Sequence, residues 1–195
     1  ARFFTHPGIL TAMSPVQLSV KLTRYQRFAR EPASRMTTVS RSALVRHSAD
    51  EMFEQTIQRF PGSDGAVLAA AVSDYKPARE YDQKVKRTQD NLSLELEPTR
   101  DIAQKLGTLK QESQLLVGFA LETQDELANA QKKIHNKNLD WVVLNSLNEE
   151  GAGFQVDTNK IRILDPHGRQ TEYPLKSKKE VARDIVQKIT EKFSR

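Results

Sequence analysis

The sequence predicts an α/β fold: a mostly parallel sheet with helices on both faces, interrupted by one small β excursion. Three observations predict it. Short apolar runs at residues 66–72, 115–119 and 141–144 have the length of strands covered on both sides. Segments with apolar residues at helical spacing stand between and after them. Residues 76–98 break the alternation with a period-two pattern of apolar and polar side chains.

Taken in order, residues 1 to about 40 mix Thr, Ser, Pro and Arg with scattered apolar side chains, and no element is assigned there. Ser48 and Glu51 fit a capping box. Met52, Phe53, Ile57 and Phe60 then recur on one helical face until Pro61 and Gly62 stop the helix. The strand at 66–72 follows. In the excursion, Val85 and then Leu92, Leu94 and Leu96 alternate with polar residues about a turn at Gln89, Asp90 and Asn91. Thr99 is placed to cap a helix carrying Ile102, Ala103 and Leu106 and closed by Gly107, after which 115–119 returns as a strand. A further helix covers about 125–136 and leads to the strand at 141–144. Ile161, Ile163 and Leu164 lie in a final strand region before a turn at His167 and Gly168. The chain closes with a helix in which Ser177 and Glu180 form a second capping box and Val181, Ile185, Ile189 and Phe193 repeat every four residues.

A chain of 195 residues suits one α/β domain. No apolar run approaches the roughly 18 residues of a membrane span, so no membrane partner is expected. With no cysteine there is neither a disulfide framework nor a thiolate metal site. Residues 1–30 lack the apolar core of a secretory signal, and a cytoplasmic location is expected. The net charge of +5 is uneven: up to His47 there are eight Lys and Arg against Glu31 alone. Phe3, Phe4, Tyr25 and Phe28 interleave with those cations as in a nucleic-acid-binding module, but on no recognisable RNA-binding motif. No nucleic-acid partner is expected.

Open parallel sheets bind ligands at the carboxyl ends of their strands, which here are Ser73 and Asp74, residues 120–123 and residues 145–147. The Asp74 carboxylate is placed either to accept hydrogen bonds from a base or ribose, or to cap a turn. Lys84, Lys86 and Arg87 would suit a phosphate or a solvated strand edge. Lys133 and Lys137 face one side of a helix, where they either complement its dipole together with Lys132 or clamp a polyphosphate. Arg100, Asp101, Ile102 and Ala103 begin a helix whose free N–H groups could meet an anion. There is no HExxH, GxSxG or GxxxxGK[ST] motif and no evident metal-ligand set; His135 and His167 receive no role.

Five stretches in sequence order, AAAVSDYKP, KVKR, TRDIA, VGFALET and KNLDWVVLN, resemble the phosphopantothenoylcysteine synthetase family, also called phosphopantothenate-cysteine ligases. This is the carboxyl-terminal domain of bifunctional bacterial coenzyme A biosynthesis flavoproteins. The likeness runs from Ala69 to Lys188, about two thirds of the chain. It implies a Rossmann-like domain over 41–195 behind an unaligned basic segment, 1–40. It also implies nucleotide contacts from Ala70, Ala71, Asp74, Lys84, Arg100, Asp101, Ile102, Ala103, Phe119, Lys133 and Lys137, with residues 151–160 as the loop before the last strands.

The implied reaction joins 4'-phosphopantothenate to cysteine: the substrate carboxylate attacks the α-phosphate of CTP, with Mg²⁺, to give an acyl-cytidylate, and the cysteine amine displaces CMP. Lys84 is the implied catalytic residue. The resemblance further implies a homodimer formed partly through the excursion, and a phosphopantothenoylcysteine decarboxylase fused upstream or associated. One departure is plain: the family's Gly-rich first turn and its RxIxNxSSGxMG-like segment, which supplies an Asn to the acyl intermediate, have no counterpart in residues 1–40. That departure leaves a second reading, a non-catalytic nucleotide-binding or interaction domain on the same fold.

Overall fold

A computed structural model describes residues 9–12, 48–79, 93–122, 125–146 and 157–194, with residues 9–12, 122 and 146 described by their backbone. The chain runs β1 (Ile9–Ala12), α1 (Ala49–Arg59), a 3-10 turn (Phe60–Gly62), β2 (Gly65–Leu68), β3 (Tyr75–Pro77), β4 (Leu96–Pro98) and α2 (Ile102–Leu109). It continues through β5 (Leu115–Glu122), α3 (Glu126–Asn136), β6 (Trp141–Ser146), β7 (Thr158–Leu164), β8 (Gln170–Ser177) and α4 (Lys178–Phe193). One sheet has the order β1-β2-β5-β6-β7-β8, and β3 pairs with β4 in a separate ribbon. The first four strands are parallel; β7 and β8 are added antiparallel. This is the mostly parallel, Rossmann-like α/β sheet with its small excursion.

Side chains alternate between the faces of the sheet, and each face has its own helices. Leu116, Ala120, Val142 and Leu144 pack with Phe60, Leu106 and Ile134 from the side of α1, α2 and α3. Val117, Val143, Ile161 and Ile163 pack with Val181, Ile185 and Ile189 of α4. Phe60, Leu106, Leu116 and Val143 have no measurable exposure, so these are dry, close-packed layers.

Most local signals act as expected. Ser48 caps α1 by accepting the Glu51 N–H at 3.2 Å, and the Ser177–Glu180 capping box is complete in both directions. The excursion is an antiparallel pair, Tyr75 opposite Pro98 and Pro77 opposite Leu96; its Gln89-Asp90-Asn91 turn, Val85 and Leu92 lie outside the described residues.

Four local expectations are corrected. The strand at 66–72 ends at Leu68, because the chain then turns away from β5 to wall a cavity. Thr99 does not cap α2. Its hydroxyl donates to the Ser73 carbonyl at 2.5 Å, and Asp101 is the N-cap, accepting the Gln104 N–H at 2.9 Å. Gly107 does not close that helix but lies within it, at a point where another backbone crowds it. Finally, β8 follows the turn at His167 and Gly168, where a helix alone was expected. It is an edge strand with mostly exposed side chains and a proline, so it lacks the apolar run that marks a covered strand. The strand β1 also falls in the segment left unassigned. Among the described residues, no helix is long and apolar enough to cross a membrane.

Candidate functional site

On the face of the sheet that carries α1 to α3, where β2 gives out, a cavity of about 330 Å³ opens. Its walls come from distant parts of the chain. Ala70, Ala71 and Asp74 lie on the extended stretch after β2; Arg100, Asp101, Ile102 and Ala103 form the entry to α2; Phe119 lies on β5; and Lys133 and Lys137 lie at the end of α3. Every residue singled out for nucleotide contact therefore lines this one cavity, except Lys84, which lies outside the described residues together with Lys86 and Arg87. Of the other strand-end candidates, Ala120 is buried in the core and Asn145 belongs to no described cavity wall, while Thr123 and Leu147 lie outside the described residues. Of residues 151–160, the last three open β7 and 151–156 are outside the described residues.

The strand-end candidate Ser73 lines it too, and sequence alone did not single out Met52, Leu68, Val72, Thr99, Gly118 and Leu139, which complete the lining. Gly118 had a legible signal, since a glycine inside a strand marks close approach. A Cβ there would meet Leu139 at 2.9 Å. Leu139 reaches that position because α3 ends in a Schellman turn: Asn138 takes φ 49 and the Leu139 N–H returns to the Ile134 carbonyl at 3.0 Å.

The polar groups of the cavity are partly engaged already. Lys137 Nζ lies 2.9 Å from the Asp101 carboxylate, which also caps α2. Burial pushes the Asp101 carboxyl up, but the Gln104 and Ala103 N–H groups and Lys137 together bring it below the usual carboxylate range. The start of α2 is thus capped by its own carboxylate, and Lys137 lies beside it. Arg100 is turned away toward α1: its Nε donates to Asp50 at 3.0 Å, its Nη1 to Glu54 at 2.5 Å, and its Cζ sits 4.1 Å from the centre of the Phe53 ring. The hydrogen bond to Glu54 raises its affinity for the proton further. The guanidinium serves as a tether between α1 and α2. Asp74 and Ser73 stand exposed at the rim, and Asp74 forms no side-chain ion pair among the described residues.

A second hollow, between α4 and the opposite end of the sheet, is lined by Trp141, Thr171 and Lys188, with Lys188 over the indole at 5.4 Å and bonded to Thr171. Among the described residues, no group of three His, Cys, Asp or Glu side chains gathers to hold a metal.

The parallel sheet, the cavity where β2 ends and the cations of α3 define a Rossmann-type α/β domain whose ligand cavity suits an anionic small molecule. The chain belongs to the DNA/pantothenate metabolism flavoprotein C-terminal domain family, whose pattern matches residues 32–193. It is 50% identical over 142 residues to a cysteine/cysteine sulfinic acid decarboxylase from an unknown prokaryotic organism, covering 73% of this chain and 40% of that one. It is 42% identical over 142 residues to the coenzyme A biosynthesis bifunctional protein CoaBC of Bacillus subtilis (strain 168), covering 73% and 35%. A crystal structure of the C-terminal domain of a bifunctional CoaBC superposes with a TM-score of 0.59 at 37% identity, covering 75% of this chain and 65% of that one. The chain thus spans well under half the length of the two curated relatives.

Proposed function

We propose that this domain catalyses the CTP-dependent joining of 4'-phosphopantothenate to L-cysteine through an acyl-cytidylate. The observation that carries this reading is the single cavity lined by Asp74, the α2 entry, Phe119, Lys133 and Lys137, in a chain 42% identical to part of a coenzyme A biosynthesis protein. Asp74 at the rim is the group to fix the cytidine. Lys133 and Lys137 hold the triphosphate, whose charge they offset through charge-assisted hydrogen bonds. Lys84, between β3 and β4 in the sequence, is assigned by family resemblance to steady the charge on the α-phosphate as the pantothenate carboxylate attacks. Phosphoryl transfer depends largely on such positioning and electrostatics, so no nucleophilic side chain is required.

Mg²⁺ takes hard oxygen ligands and leaves most of its shell to substrate phosphates. With Asp74 assigned to the cytidine and no cluster of carboxylates among the described residues, the ion would be held chiefly by the triphosphate oxygens and water. When bound, the ion would offset negative charge on the triphosphate. The exposed Tyr75, Leu94 and Leu96 of the excursion favour a homodimer through that ribbon. A decarboxylase partner, fused or separate, is part of the same reading.

The test is pyrophosphate release from CTP and phosphopantothenate with Mg²⁺, before cysteine is added. Release is expected; none from a folded chain that binds CTP would leave the second reading, a nucleotide-binding domain without ligase activity. One observation favours that second reading: a relative at 50% identity is named for a different activity.

A further inference from the structure

Two walls of the cavity belong to different segments, Ser73 and Asp74 after β2, and 99–103 across the start of α2. Thr99 joins them directly, its N–H donating to the Asp74 carbonyl at 2.9 Å and its hydroxyl to the Ser73 carbonyl at 2.5 Å. Behind the walls, Asp50 in the first turn of α1 makes a second join. One carboxylate oxygen accepts from Lys76 Nζ, two residues beyond Asp74; the other accepts from Arg100 Nε at 3.0 Å. Lys76 also reaches Glu97 at 3.1 Å, and Arg100 also reaches Glu54. Asp50 is thus the group shared by both walls, although it does not itself line the cavity.

We propose that Asp50 is a positioning residue for the nucleotide site, holding the Ser73–Asp74 wall and the α2 entry in the register that a nucleoside triphosphate requires. The proposal rests on the reading of the cavity given above. If Asp50 is removed, Thr99 and the Lys76–Glu97 pair still join the two walls to each other and Arg100 keeps Glu54, but Lys76 loses its tie to α1 and the walls lose their shared anchor there. Simple Coulomb reasoning predicts the opposite sign of effect: deleting a negative charge beside an anion site should tighten anion binding. The direction of the change therefore separates a positioning role from a charge-balancing one.

The experiment is calorimetric titration of Mg-CTP into the chain and three variants, with thermal melts of each. An irreversibly misfolded fraction lowers the fitted stoichiometry, whereas reversible unfolding raises the apparent Kd by the reciprocal of the folded fraction, so each titration is run well below that variant's Tm, where Kd reports on the site. Asp50→Asn is expected to raise Kd about fivefold, the scale of partly exposed ion pairs acting together. Asp50→Glu keeps the charge but shifts it by a methylene, and is expected to raise Kd about threefold on the same scale. Glu54→Gln removes a charge from Arg100 while sparing the shared anchor, and should leave Kd unchanged or lower. If Asp50→Asn does not fold, the Kd of Asp50→Glu decides between the two roles. Unchanged or tighter binding by a folded Asp50 variant, with the unaltered chain binding normally, overturns this inference alone. Failure of the unaltered chain to bind Mg-CTP overturns the reading of the cavity, and this inference with it.

Discussion

Gly107 and Lys137 meet through bare backbone: a Cβ on residue 107 would stand 2.1 Å from the Lys137 carbonyl oxygen. The contact is fastened by Asn138, whose Nδ2 donates to the Gly107 carbonyl at 2.9 Å. It sets the spacing between α2 and the end of α3, and hence where the Lys137 side chain begins. In an exposed helix interior, Gly→Ala would stabilise by about 1 kcal/mol. Here the clash wins, since backbone cannot move aside as a flexible side chain can. Gly107→Ala is expected to cost about 1–3 kcal/mol and to lower Tm by about 3–10 °C, read by thermal unfolding.

Lys137 lies beside the Asp101 carboxylate and lines the cavity, so on the function proposed above it would serve both the α2–α3 junction and a bound triphosphate. Lys137→Ala should weaken Mg-CTP binding about tenfold, the scale of one charge-assisted hydrogen bond. Its Tm should fall by no more than about 4 °C, because a pair this exposed adds about 1 kcal/mol or less to stability. Unchanged affinity in calorimetry would remove Lys137 from the site.

Acid should destabilise the fold through particular carboxyls. The Asp50 carboxyl is held low by the hydrogen bond from Lys76 against an opposing effect of burial, with Arg100 adding to it. Burial raises Asp165, but the Arg169 side chain and the Arg169 and His167 N–H groups bring it below the ordinary range. A carboxyl whose folded value is depressed contributes stability that is fully present above its unfolded value, about 3.9, and is lost as pH falls through the folded one. Urea midpoints should therefore be steady above about pH 5 and decline below about pH 4. Asp50→Asn should shallow that decline, and an equal slope in the variant would show that Asp50 takes no part.

Gln114 is buried and stitches the start of β5 to the turn after α1, donating to the carbonyls of Phe60 at 2.9 Å and Ser63 at 2.7 Å. Gln114→Leu keeps the volume but leaves the Ser63 carbonyl without that donor. The expected loss is about 1–3 kcal/mol, measured as a lower urea midpoint at unchanged m-value.

Where the sequence was legible, a single local rule governed the outcome. Val181, Ile185 and Ile189 could be read as core because one helix face explains them, and Ser177 with Glu180 because their bonds are only three residues long. The illegible parts were decided by partners remote in sequence. Thr99 resembles a cap until Ser73 claims its hydroxyl, and Gly107 resembles a helix stop until Lys137 arrives from another helix. Arg100 stands at a helix start whose free N–H groups read as an anion site, but nothing local shows that its guanidinium is turned to Asp50, Glu54 and Phe53 of α1. Edge strand β8 carried no covered-strand pattern because water, not a second layer, faces most of it.

The cavity walls are drawn from Met52, Leu68, residues 70–74, 99–103 and 118–119, and Lys133, Lys137 and Leu139, and those on β2 and β5 are brought side by side by the parallel pairing of the two strands. Parallel pairing of that kind requires long intervening loops to close before any contact rewards them, so it forms slowly. A ligand seated there has nothing to grip while the chain is still assembling. It therefore leaves the refolding rate as it was and retards unfolding instead, lengthening the lifetime of the folded domain by a factor of one plus the ratio of free ligand concentration to Kd.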